Sequence, residues 1–201
     1  MPDTYHHGDL QAQVLAHAAV MIARDGVEAF SLRKLAAELV VSHTAPRHHF
    51  GSREGVFTAL AEQGYGLLGD ALAVAEADGF AEVGAAYVAF AVAHPGHFAV
   101  MHAPGLVDGD DPGLRGASRR TAEQLTEGVA RIVTGDPEQV AVAAVAAWSL
   151  VHGIATLTLT GALDDLYTQS GGNRHDVVVG AARLLSPQPS RAETSDDPVQ
   201  L

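Results

Sequence analysis

The stretch VVSHTAPRHHFGSR, residues 40–53, decides how the rest of this chain is read. It holds three histidines and two arginines in fourteen residues and has no acid. Such a cluster is a metal site, a solvated helix or a surface that meets a polyanion. Metal ligands on one helix recur at i+3 or i+4, where side chains share a face. His43 and His48 are five apart, about 140° around a helix, and the adjacent His48 and His49 diverge by about 100°. The stretch itself contains no cysteine or carboxylate to complete a ligand set. The spacing therefore predicts no metal and leaves the solvated helix and, favoured over it, the polyanion surface.

The neighbouring sequence supports that reading. Leu10, Val14, Leu15, Ala18, Met21 and Ile22 recur at helical spacing, with Arg24 in the last turn and Gly26 as a left-handed stop, which predicts a helix over roughly 9–25. Ser31 caps a second, short helix with Leu32, Leu35, Ala36 and Leu39 on one face. Ser42 is expected to cap a third, running to about His48 or His49, in which Pro46 is tolerable because the helix is so short. Gly51 breaks the chain, Ser52 caps again, and a long helix follows from about Arg53 to Ala77. Two short helices joined by a tight turn, with the small Ala36 at the packing position and Val41 filling the turn, fit a helix-turn-helix. The third helix would lie in a DNA major groove, led by its N-terminal residues. Arg47 can reach a guanine edge or a phosphate, His43, Thr44 and His48 can bond bases or phosphates, and Arg53 can clamp a phosphate beside backbone N–H groups. The expected DNA-facing set is Ser31, Arg33, Lys34, Ser42, His43, Thr44, Arg47, His48, His49 and Arg53.

Charge distribution agrees better than total charge. The formal net charge is −12, but residues 66–201 hold 7 basic and 17 acidic side chains. Residues 27–53 set Arg33, Lys34 (the only lysine), Arg47 and Arg53 against Glu28 and Glu38. A short basic region on an acidic body directs a polyanion to one face and repels it elsewhere. Cysteine is absent, so there is neither a disulfide framework nor a thiol nucleophile. No basic, then apolar, leader opens the chain, which predicts a cytoplasmic protein.

The remaining sequence reads as helix throughout, giving an all-α protein without strands or repeats. Phe80, Val83, Tyr87, Phe90 and Ala91 mark one helix ended by His94-Pro95. Residues 96–103 form a short connecting segment, PGLVDGDDPG a loop, and 114–134 another helix. DPEQ at 136–139 is a start signal, with Asp136 as cap, Pro137 at the first helical position and Gln139 closing a capping box. The helix it opens is expected to reach Leu163, and 175–185 forms the last one. Residues 186–201, rich in Pro, Ser and Asp, are expected to be disordered. Residues 140–163 carry no charge. That length allows a membrane span, but the run is rich in Ala and Thr, contains His152 and Gly153, and lacks an aromatic belt or basic flank. It is expected to be buried between subunits instead. His94 and His97 are three apart, but Pro95-Gly96 spoils the helix that would pair them on a metal.

Residues 26–60, and SHTAPRHHFGSREGVF above all, resemble the DNA-binding domain of TetR-family transcriptional regulators, with the family's His-Phe helix ending at His49-Phe50 and its basic helix opener at Arg53. YHHGDL at 5–10 and WSLVHG at 148–153 are similar to a subgroup with a Trp-x-x-x-His-Gly signature. Two positions depart from the pattern. Val40 stands where the family has glycine, so a β-branched residue would be strained at positive φ. Arg47 stands where the family has tyrosine. The resemblance implies a helix-turn-helix domain over 5–52 and a larger helical domain over 53–185 that binds an effector and dimerises through helices 137–163 and 175–185. It implies a pocket among the middle helices, lined by Tyr65, Leu68, Leu72, Tyr87, Phe90, Phe98, Met101, His102, Leu125, Val129, Trp148 and His152. That apolar, aromatic set favours a small hydrophobic effector. The expected partners are double-stranded operator DNA, the effector and a second copy of the chain, with no cofactor and no membrane. The expected function is a ligand-responsive dimeric repressor. The alternative is a small-molecule sensor of the same fold that acts through a protein partner without operator binding. No Gly-rich phosphate loop, paired carboxylates or nucleophile elbow points to an enzyme.

Overall fold

The computed structural model describes residues 7–171 and 173–184. Residues 186–201, read as a tail from composition, lie outside the described residues, as do Tyr5 and His6 of the YHHGDL segment. The regular elements among the described residues are helices: α1 His7–Asp25, α2 Leu32–Glu38, α3 Ala45–Phe50, α4 Arg53–Ala75, α5 Phe80–Ala93, α6 Pro95–Met101, α7 Pro112–Ala130, α8 Pro137–Leu159, α9 Asp164–Gln169 and α10 Arg174–Leu184.

Start signals in the sequence carry through to the fold. Ser31 Oγ accepts from the Lys34 N–H, and Ser52 Oγ accepts from the Gly55 N–H. The Asp136 carboxylate accepts from the Gln139 N–H at 2.9 Å while Gln139 Oε1 accepts from the Asp136 N–H at 3.1 Å, completing the capping box. Gly26 and Gly51 stop α1 and α3 at φ of +81° and +70°, a region open to glycine because it lacks a Cβ.

Four expectations are corrected. Ser42 does not cap α3: its hydroxyl pairs with Thr44 Oγ1 at 2.9 Å, and the helix opens at Ala45 with Pro46 in its first turn, where a missing N–H costs nothing. Residues 95–101 are a helix, because Pro95 that ends α5 also presets φ for the first position of α6. Helix α7 starts at Pro112 and ends at Ala130, since Asp111 of the expected loop accepts from the Leu114 N–H. Helix α8 stops at Leu159, not Leu163: β-branched Thr156, Thr158 and Thr160 weaken the last turns, and Gly161 at φ +74° ends them. The short α9 follows.

A hydrophobic core runs from Val14, Ala18 and Ile22 of α1 through Leu35 of α2 and Val56, Phe57, Leu60 and Leu68 of α4 into Val88, Ala91 and Phe98 of α5 and α6. Helix α4 therefore belongs to both ends of the molecule. Helix α6 crosses α1 at Gly96, whose missing side chain lets the two backbones meet at Ala19. Helix α8 is long and apolar enough to cross a membrane, the one such helix among the described residues, yet it packs against α5, α7 and α10.

Between α2 and α3 the chain turns through Val40 at φ +56°, the one non-glycine residue with positive φ among those described. The Val41 N–H donates to the Ala36 carbonyl and the Val40 N–H to the Ala37 carbonyl, the paired bonds of a Schellman stop, whose left-handed position glycine normally fills. A valine there costs roughly 1–2 kcal/mol in backbone strain. Its side chain, 91% exposed, regains little by packing. Val40→Gly is therefore expected to stabilise the fold by roughly 0.5–1 kcal/mol, after glycine's larger entropy loss on folding, whereas Val40→Ala keeps the strain. Urea midpoints of the three proteins measure this. A lower midpoint for Val40→Gly would show that the turn is built otherwise in solution.

Candidate nucleic-acid interface and internal cavity

Leu35, Ala36 and Pro46 are buried between the short helices and α1, so the opposite faces of α2 and α3 are turned to solvent. Arg33, Ser42, His43, Thr44, Arg47 and His48 are exposed there. Ser31 is exposed at the start of α2, with its hydroxyl engaged by the Lys34 N–H. His49 is half-buried, its ring 6.4 Å from that of Phe50 and edge-on to that of His48 at 5.5 Å.

Two of the cations are engaged within the protein. Lys34 Nζ lies 2.6 Å from Asp25, in a network where Arg24 also meets Asp25 at 2.8 Å and Glu38 at 2.9 Å, and His17 meets Glu38 at 3.0 Å. Hydrogen bonds from Arg24 and then Lys34 hold the Asp25 carboxyl well below the usual range, and those from Arg24 and His17 lower that of Glu38. These pairs are solvated and add little stability; they fix α2 against the end of α1. Arg53 donates to the Val27 carbonyl, and its guanidinium lies over the Phe57 ring at 4.8 Å. It ties the start of α4 to the α1–α2 connection. Sequence spacing could not reveal either engagement, because the partners come from across the helix junctions.

A cavity of about 810 Å³ opens between α4, α5, α7 and α8. Of the residues expected to line it, Tyr65, Leu68, Leu72, Tyr87, His102, Leu125 and Trp148 do so. Phe90, Phe98, Met101 and Val129 are buried in the surrounding packing instead, and His152 stands behind the wall, its ring stacked on Phe98 at 5.3 Å. The wall also includes Phe80, Val83, Ile132, Val145 and Val151, which the sequence reading did not single out, and the cations Arg115, Arg119 and Arg131. The apolar ones carry the helical periodicity of any core residue, so their pattern could not distinguish a cavity wall from packing.

Most polar wall groups have protein partners. Tyr65 donates to the Met101 carbonyl at 3.3 Å, Thr121 to carbonyls of Ala117 and Tyr65, and Gln124 to the Gly69 carbonyl. The Tyr87 hydroxyl lies 3.0 Å from His152 Nδ1 and 3.4 Å from His102 Nε2, while His102 Nδ1 meets the Phe98 carbonyl at 3.0 Å. A carbonyl only accepts, so His102 carries its proton on Nδ1, Tyr87 donates to its Nε2, and His152 donates to Tyr87. Burial pushes the Tyr87 phenol up to about 12 and lowers the proton affinity of His102 and His152, so this cluster is neutral. Arg131 meets Glu76, the one carboxylate in the wall, at 3.0 Å. Arg119 makes a long contact of 3.6 Å with Glu123, and Arg115 has no acidic partner among the described residues.

The geometry can be set beside known proteins. The family model described as "Tetracyclin repressor-like, C-terminal domain" matches residues 80–181. An uncharacterised HTH-type transcriptional regulator of Mycobacterium tuberculosis is 27% identical over 169 residues, covering 78% of this chain and 73% of that protein. The solved structure of a protein of unknown function from Rhodococcus sp. RHA1 is 33% identical and superposes with a TM-score of 0.72 over 92% of this chain and 97% of its own. PfmR, a TetR family transcriptional regulator from Thermus thermophilus, shares the fold at 22% identity and a TM-score of 0.65, over 87% of this chain and 97% of its own.

Proposed function

Because the chain belongs to the tetracyclin-repressor-like family of DNA-binding transcriptional regulators, we propose that it is a dimeric repressor released from its operator by a small effector. The observation that carries this reading is α4: it begins at Arg53 in the basic head and supplies Tyr65, Leu68 and Leu72 to the cavity wall. A ligand that fits one posture of this helix better than another biases the spacing of two heads, and a coupling of that kind requires only differential affinity. The reading divides the chain into a head over 5–52 and a body over 53–185, and it places the protein in the cytoplasm. It assigns WSLVHG to the Trp-x-x-x-His-Gly subgroup, with Trp148 on the cavity and His152 orienting Tyr87.

Helix α3 enters the major groove with His43, Thr44, Arg47 and His48 toward base edges and phosphates, and Arg33 on the flanking backbone. Lys34, paired with Asp25, and Arg53, bonded to the Val27 carbonyl over the Phe57 ring, hold the head together beside the same DNA-facing surface. The second copy meets the exposed stripe of α8, where Val142, Ala146, Ser149 and Gly153 recur at helical spacing, beside α10 with the open Gly180. Small residues let two such helix pairs approach closely.

Affinity for DNA flanking the gene, measured across a salt series, tests the reading. Each phosphate neutralised adds about −0.9 to the slope of log K against log salt. Arg47→Ala is expected to lose roughly 1–3 kcal/mol if Arg47 reads a base, with specificity relaxed at one position. A uniform loss across single-base variants would assign it to phosphate. Absence of binding at low salt by the folded protein would overturn operator recognition.

A further inference from the structure

The cavity is asymmetric in charge. Near the α7–α8 connection its wall is Phe80, Val83 and Ile132, with Glu76 and Arg131 paired to each other. Toward the start of α7 the wall carries Arg115 and Arg119, and no carboxylate of the wall faces them. The tyrosine and histidine polar groups at this end are satisfied within the protein, so guanidinium N–H groups are the donors left for a ligand. Along α4 and its C-cap the wall runs from Tyr65 to Glu76, eleven residues further on, or roughly 16 Å of helix. A site of that shape suits a long apolar body with one polar end; Arg115, without an acidic partner among the described residues, and Arg119, held only by a long 3.6 Å contact with Glu123, select a carboxylate-like anion by charge-assisted hydrogen bonds.

Resting on the reading of this cavity as the effector site, we propose that the effector is an amphipathic organic anion whose acidic head is held by Arg115 and Arg119 and whose apolar body extends along α4 and α7 toward Ile132. A cationic effector would meet two guanidinium groups, and a neutral one would leave them unused.

The probes are dodecanoate, dodecanol and dodecylamine, which share one tail and differ in head, each below its micellar concentration. Calorimetry at low salt measures affinity, and emission of Trp148, the only tryptophan of the chain, reports whether binding occurs at the wall. Dodecanoate is expected to bind about tenfold or more tightly than dodecanol, and dodecylamine more weakly than either. In the double variant Arg115→Gln, Arg119→Gln the preference for the acid is expected to vanish while dodecanol affinity stays. Arg120→Gln, outside this wall, should leave all three unchanged. Equal affinity for the three heads, a preference for the amine, absence of binding, or an acid preference that survives the double variant would overturn the proposal. Adding dodecanoate to the operator complex separates this inference from the one beneath it: a selective bound acid that leaves DNA affinity unchanged upholds the anion site and removes the effector role.

Discussion

In the proposed dimer, a glutamate at Ser149 is expected to part the two copies and, with that, to abolish tight operator binding. In the protomer Ser149 is exposed in the middle of α8, and Val142, one end of the same stripe, is 65% exposed. A carboxylate at either place costs an isolated protomer almost nothing. Across a two-fold interface the same substitution sets two like charges close together with no cation from α8 beside them, since residues 140–163 hold none. An uncompensated buried charge costs several kcal/mol, so the dimer dissociation constant should rise by roughly a thousandfold or more. One head then makes half the contacts, and the affinity gained by binding two half-sites together is lost. Sedimentation measures the dimer, circular dichroism checks that helix content is intact, and gel shift reads the DNA. Ser149→Glu and Val142→Glu proteins that remain dimeric would place the subunit contact elsewhere. Ala155→Glu is a poorer test although it lies in the same charge-free run, because Ala155 is fully buried within the protomer and a charge there unfolds the chain.

That contrast shows what the sequence could and could not convey. The charge-free run raises the expectation that α8 is covered on more than one side. It does not say which residues face the protomer's own α5 and which face outward, because both faces are apolar and periodicity has no polar stripe to fix the phase. Helix starts were more legible. Capping residues at Ser31, Ser52 and Asp136 state where helices begin through local chemistry, and Val40 in place of glycine correctly points to strain at a left-handed turn. Local rules are silent where partners come from distant segments. Nothing near Arg53 in sequence shows that the Val27 carbonyl and Phe57 ring come to meet its guanidinium. Nothing near Lys34 in sequence shows that Asp25, at the end of α1, pairs with it. The cavity wall mixes with the core for the same reason: Phe90 and Tyr87 share one helix and one hydrophobic pattern, and only packing makes one of them core and the other wall.

The close approach of α6 to α1 gives the second large effect. A methyl group at Gly96 would fall 3.0 Å from Ala19 Cα and closer still to its carbonyl group. These are backbone atoms that cannot rotate aside, so relief requires α6 and α1 to part. Overpacking usually costs about 1–3 kcal/mol, and with no flexible side chain to yield, Gly96→Ala should reach the upper end. For a chain of this size that is a fall in Tm of roughly 6–12 °C. Two companions calibrate it. At Gly64 the added Cβ meets the side chains of Met101 and His97 at 2.5 and 3.1 Å; methionine can change rotamer, so Gly64→Ala should cost less. At Gly66, exposed on α4 with nothing near its missing Cβ, alanine should stabilise by roughly 0.5–1 kcal/mol through helix propensity. Helix α6 is also the element that carries His102 to the cavity wall, so separating it from α1 loosens the head from the body. Gly96→Ala is therefore expected to weaken operator binding below its melting temperature, while Gly66→Ala leaves it unchanged. Thermal melts of the three variants with gel shifts at a fixed low salt decide it: a Gly96→Ala protein that melts with the wild type would show that α6 is not seated on the α1 backbone, and one that melts early yet binds the operator normally would show that this contact holds the fold without setting the posture of the head.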